Sequence, residues 1–100
     1  MYAVIFRAQS AVQDEEYLST ANRLRDLAFD EYGCMEFVSL EQDGLEIAIS
    51  YWPDEEHILR WKENTEHMMA QDMGKQEWYE NYSVEVVEVM RRYSYPPRED

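Results

Sequence analysis

The chain switches between two spacings of apolar residues. Residues 2–9, YAVIFRAQ, are rich in β-branched and aromatic side chains, the composition of a strand. The period then lengthens. Tyr17, Ala21, Leu24, Leu27 and Ala28 recur at the spacing of one helix face. Asp14, Glu15 and Glu16 fall in the first turn of that helix, where carboxylates complement the helix dipole. Gly33 stands where a left-handed residue would end it. Residues 34–52, CMEFVSLEQDGLEIAISYW, return to strand character. Two apolar-rich runs flank Asp43 and Gly44, a pair suited to the positive φ angles of a tight hairpin turn. In the second run Leu45, Ile47, Ile49 and Tyr51 share one face, and Glu46, Ala48, Ser50 and Trp52 share the other. Pro53 then stops the strand, and Asp54 can cap a second helix.

The second helix carries Ile58, Trp61, Lys62 and Thr65 on one side. At about 100° per residue, His67 lies roughly 120° around from Trp61, and Gln71 about 80°. One straight helix would not aim Trp61 and His67 at one point. Asn64 and Thr65 can form a fresh N-cap, so a break or kink is expected there, with Gly74 closing the shorter second piece. Residues 75–82, KQEWYENY, read as aromatic and irregular, and residues 83–95 as a long final strand. Its neighbouring Val86 and Val87 break strict alternation and suggest a bulge. Residues 96–100 form a polar tail to a single domain spanning 1–95.

The element order is β-α-β-β-α-β, the ferredoxin-like α+β pattern, with a four-stranded antiparallel sheet and both helices on one face. The strands carry apolar residues on both faces, and helices can cover only one. The other face needs a partner, and a second copy of the chain, packed sheet to sheet, supplies it. A homodimer is therefore expected.

Charge narrows the partners. The formal net charge is −13. That argues against nucleic acid, which needs clustered Lys and Arg, and against anionic membrane surfaces. The N-terminal run YAVIF is too short for a signal-peptide core or a membrane span, so a cytoplasmic location is expected. Cys34 is the lone cysteine, which excludes an intrachain disulfide and suits a small buried residue. No phosphate loop, nucleophile elbow, zinc pattern or dinucleotide fingerprint is present.

Four features then combine. They are SYW at residues 50–52, Trp61 nine positions after Trp52, the pattern EH..AQ..G...WY..Y over residues 66–82, and V..V.R.Y over residues 86–93. Together they resemble the antibiotic biosynthesis monooxygenase family across nearly the whole chain, most specifically in its C-terminal half. The resemblance implies a dimeric α/β barrel of two ferredoxin-like protomers. It also implies an oxygenase-like domain, since characterised branches include small oxygenases that act on polycyclic phenols without metal or flavin, quinol-directed oxygenases and heme-degrading enzymes. The heme-degrading branch uses a first-strand asparagine, a tryptophan on the second helix and an iron-ligating histidine ten residues later. Here Trp61 matches the tryptophan, but Gln71 stands at the histidine position and Arg7 near the asparagine position. Glutamine is a poor iron ligand beside imidazole, which argues against heme chemistry.

The reading that results is a cofactor-independent monooxygenase for an electron-rich aromatic or quinol-type small molecule, with no metal site. His67 is the candidate general base, because imidazole titrates near neutrality; the alternative is a surface histidine beside Glu66. Trp61, Gln71, Trp78, Tyr82 and Arg7 are candidate substrate contacts. Trp61 could equally be core. Trp78, Tyr79 and Tyr82 could equally serve packing or an interface. Arg7 and Arg91, if buried on strands, would need a carboxylate such as Glu36, Glu46 or Glu85. Two other functions fit the same fold: a non-catalytic small-molecule binding or interaction module, and an isomerase or cyclase that needs only the base.

Overall fold

A computed structural model describes residues 1–11, 15–73 and 79–97, with residues 66–73 described by their backbone. The elements follow in the order β1 (Tyr2–Ser10), α1 (Glu15–Glu31), β2 (Glu36–Gln42), β3 (Leu45–Trp52), α2 (Glu55–Met73) and β4 (Tyr79–Glu88). The sheet order is β2-β3-β1-β4 and every pairing is antiparallel. This is the expected α+β ferredoxin-like architecture.

Local chemistry accounts for the element ends. Gly33 sits at φ 79°, and Cys34 N–H donates to the Ala28 carbonyl at 2.9 Å, closing α1. A Cβ at Gly33 would come within 2.8 Å of the His57 ring, so this glycine is needed for close approach as well as for its backbone angle. Asp43 and Gly44 both have positive φ, 54° and 85°, and join Gln42 to Leu45 in a two-residue hairpin turn. Asp54 Oδ1 accepts from His57 N–H at 3.0 Å, the N-cap bond that starts α2. It also lies 2.6 Å from His57 Nδ1, and these bonds from His57 hold the Asp54 carboxyl below its ordinary range. His57 is thus a half-buried cap partner packed against Gly33 rather than a plain surface residue.

The core gathers where the start of β1, the end of β3, the end of α1 and the start of α2 meet. Val4, Ala28, Cys34, Trp52 and Ile58 are buried together, with Tyr2, Tyr32, Phe37 and Trp61 packed against them. Trp52 is wholly buried, and its Nε1 donates to Ser50 Oγ at 2.8 Å. That bond removes the cost of hiding an indole N–H. Burial pushes the Cys34 thiol pKa up, and its Sγ donates to the Glu36 carbonyl at 3.1 Å. Cys34 is the small buried residue that its isolation suggested.

Three local expectations are corrected. The helix does not break at Asn64 and Thr65: α2 runs unbroken from Glu55 to Met73. Mid-helix Asn and Thr cost only a few tenths of a kcal/mol each. Breaking the ladder would leave several backbone groups unpaired. The last strand spans residues 79–88 rather than 83–95, because pairing with β1 ends where β1 begins, at Tyr2 opposite Glu88. The bulge lies near the other end of β4. Gln9 pairs with Asn81 but Ser10 with Tyr79, so Glu80 is the extra residue. Gly74 lies outside the described residues.

Candidate functional site

The strands divide their side chains between two faces, and one face turns toward the helices. Val4 and Phe6 of β1, Phe37 and Ser39 of β2, Glu46, Ala48 and Ser50 of β3, and Tyr82, Val84 and Val86 of β4 point that way. Between them and the two helices lies a cavity of about 350 Å³. That volume suits a small organic ligand. Core packing closes the Trp52 end, and the cavity occupies the remaining space between the layers.

Trp61 enters from α2 and lines the cavity, with its ring centroid 5.3 Å from that of Trp52. It is thus both core neighbour and cavity wall. Trp61 Nε1 and Thr65 Oγ1, one turn apart, are buried with no hydrogen-bond partner among the described residues. On the β4 side, Phe6, Tyr79 and Tyr82 form an aromatic cluster, with centroids 5.5 Å apart for Phe6–Tyr79 and 5.8 Å for Phe6–Tyr82. The Glu80 bulge explains this grouping. Tyr79 and Tyr82 are three positions apart, and strict alternation would send them to opposite faces; the extra residue restores them to one face.

A polar cluster lies within the aromatic one. Tyr17 of α1 donates its hydroxyl to Glu46 Oε2, and Tyr79 donates to the Tyr17 oxygen at 3.4 Å. The Tyr17 and Tyr79 rings meet edge to face at 5.8 Å. Burial, then the bonds to Glu46 and Tyr79, push the Tyr17 pKa far above the usual phenol range. Burial chiefly pushes Tyr79 up to about 12. Both phenols therefore keep their protons at neutral pH and act as donors. Glu46 is the single carboxylate among the described residues lining the cavity, while Arg25 and Lys62 line it from the helices.

The residues singled out in the sequence are only partly brought together. Trp61 and Tyr82 line the cavity. The side chains of His67 and Gln71, and the whole of Trp78, lie outside the described residues. Arg7 is exposed, on the sheet face opposite the cavity, paired in register with Ile47 and Ser83. It is not a buried arginine seeking a carboxylate. Glu46 faces the other way and is held by Tyr17. Arg91 lies beyond β4. Its neighbour Arg92 pairs with Glu36 at 3.2 Å and sits 4.7 Å above the Tyr51 ring. Sequence reasoning missed Glu46 and Tyr17 as site residues. The usable signal was the period-2 pattern of β3, which set Glu46 on the face of Trp52, and the place of Tyr17 on the apolar stripe of α1.

No family model matches the chain. The chain is 40% identical over 92 residues to the uncharacterized protein YqjZ of Bacillus subtilis, spanning 91% of this chain and 81% of that one. It is 33% identical over 93 residues to a jasmonate monooxygenase, ABM, of Pyricularia oryzae. That match covers 89% of this chain but 43% of the fungal protein, so the chain spans less than half of that relative's length. Among solved structures, SnoaB of Streptomyces nogalater, a cofactor-independent oxygenase, superposes with a TM-score of 0.71. It shares 13% identity over 91% of this chain and 94% of its own. Solved proteins described as antibiotic biosynthesis monooxygenases share the same fold.

Proposed function

We propose, for a chain that belongs to the antibiotic biosynthesis monooxygenase family, that the inter-layer cavity binds an electron-rich aromatic or quinol-type small molecule and oxygenates it without metal or flavin. The observation that carries this reading is the cavity itself: about 350 Å³, with Trp61, Phe6, Tyr79 and Tyr82 among its walls. Flat rings stack well on such walls. Apolar walls also reduce the water around a bound anion, leaving it open to dioxygen. SnoaB, a cofactor-independent oxygenase by description, shares the fold and supports the reaction class.

His67 is proposed as a catalytic proton-transfer group, with Gln71 and Trp78 completing the substrate contacts. His67→Ala should lower turnover by about 10²-fold. Arg7, on the far face of the sheet, is proposed to serve the interface of a homodimer rather than the substrate.

Dioxygen uptake with anthrone-like and quinol substrates tests the reading. Jasmonate is the third substrate to try, because a relative is named for acting on it. Uptake matched by an oxygenated product supports the proposal. Saturable binding with no product from any of them defeats it in favour of a binding module.

A further inference from the structure

We propose that Glu46 is the group that takes the substrate's proton, with Tyr17 as its positioning residue. The step is read on a probe with an acidic C–H next to a ring and a carbonyl, so that the electron pair left behind is shared between them. The inference rests on the proposed function and deepens it by naming the first chemical step.

Geometry carries the argument. Glu46 projects from β3 into the face shared by Ser50 and Trp52, half-buried, as the only carboxylate lining the cavity among the described residues. Tyr17 donates to Oε2, which holds the carboxylate in place at the cavity wall. A base held in place by a second group, beside aromatic walls, is an arrangement suited to proton abstraction. The other titratable groups around it are poor competitors. Tyr17 and Tyr79 are phenols that burial keeps protonated. Arg25 of α1 and Lys62 of α2 are cations, suited to a nearby anion rather than to accepting a proton. Tyr82 completes the β4 side. Glu41 of β2 pairs in register with Glu46 but is exposed.

The step balances. The substrate C–H bond breaks, its proton passes to Glu46 Oε1, and the electron pair spreads into the ring and carbonyl. Without dioxygen, the proton returns and the step is seen only as isotope exchange. With dioxygen as co-substrate, the carbanion is oxidised: a methylene and one dioxygen become a carbonyl and one water. His67 is then left for proton transfer after dioxygen has reacted.

The test is anaerobic loss of deuterium from the methylene of labelled anthrone, followed by mass spectrometry, with dioxygen uptake measured separately. The wild-type protein should accelerate exchange over buffer. Glu46→Gln, which keeps the shape and an acceptor for Tyr17, should slow it about 10²-fold. Tyr17→Phe should lower the rate constant at saturation while leaving half-saturation nearly unchanged. If Glu46→Gln does not fold by circular dichroism, Glu46→Asp carries the test: it keeps the charge, retracts it by one methylene, and should exchange at a reduced rate. Exchange without dioxygen uptake would support Glu46 and sink the oxygenase reading. Wild-type exchange no faster than buffer, or Glu46→Gln exchanging at the wild-type rate, overturns the inference.

Discussion

The residue that best shows how the cavity is tuned is Tyr79. Its hydroxyl lies within hydrogen-bond reach of Tyr17, and burial raises its pKa from 10.0 to about 12. The consequence for stability has a definite sign. In the unfolded chain the phenol ionises near 10.0, while in the folded chain it holds its proton to about 12. Between those values the folded state binds more protons, so stability falls as pH rises. The contribution is complete below pH 10 and lost by about 12, and Tyr17 acts in the same direction. Urea unfolding midpoints measured from pH 8 to 12 should decline over this window. Tyr79→Phe should flatten part of the decline, and an unchanged slope would mean that Tyr79 is not buried as described.

At the scale of the element, α2 is the informative case. Its unbroken course through Asn64 and Thr65 leaves Thr65 Oγ1 buried without a partner among the described residues. An unsatisfied buried hydroxyl costs about 1–3 kcal/mol, and Thr is a weaker helix former than Ala by a few tenths. The methyl that Thr65→Ala also removes acts the other way by about 1 kcal/mol. The balance favours alanine, so Thr65→Ala should hold or raise the thermal midpoint; a fall of several degrees would show that the hydroxyl has a partner. The same helix marks where sequence reasoning stopped. Period and turn chemistry were enough for the six elements, the Asp43–Gly44 hairpin and the Asp54 cap, because each rests on neighbouring residues. The cap chemistry of Asn64 and Thr65 predicts a hinge, but the α2 backbone pairing runs through it. Tyr79 and Tyr82 share a face only through a bulge whose position is set by pairing with β1, a long-range fact. Glu46 became a site residue only when α1 brought Tyr17 to it across 29 positions of chain.

At the scale of the whole molecule, the sheet has a second face that no helix covers. Val38, Leu40, Leu45 and Ile47 stand on it, each at least a third exposed, and Leu40 is 76% exposed. Register places Leu40 beside Ile47 and Val38 beside Ile49, so these side chains form one apolar stripe rather than scattered singles. Arg7 and Glu85 interrupt it with opposite charges, at positions paired with Ile47 and Ile5. Such a face, largely apolar with a few charges, matches what two copies need for a defined sheet-to-sheet packing. A stable interface covers about 800 Å² on each partner. That is on the order of a tenth of the 7302 Å² this chain exposes, and the outer face of a four-stranded sheet can supply it. A chain of 12.1 kDa also has a small core and gains from association. The wild-type protein should therefore sediment as a dimer. The double variant Leu40→Glu with Ile47→Glu should sediment as a monomer, because like charges brought together across the interface would lose their water. Both residues face away from the cavity, so ligand binding there tells whether each protomer carries its own site. Binding retained by the monomeric variant means that it does, whereas a wild-type protein that sediments as a monomer at micromolar concentration would remove the dimer altogether.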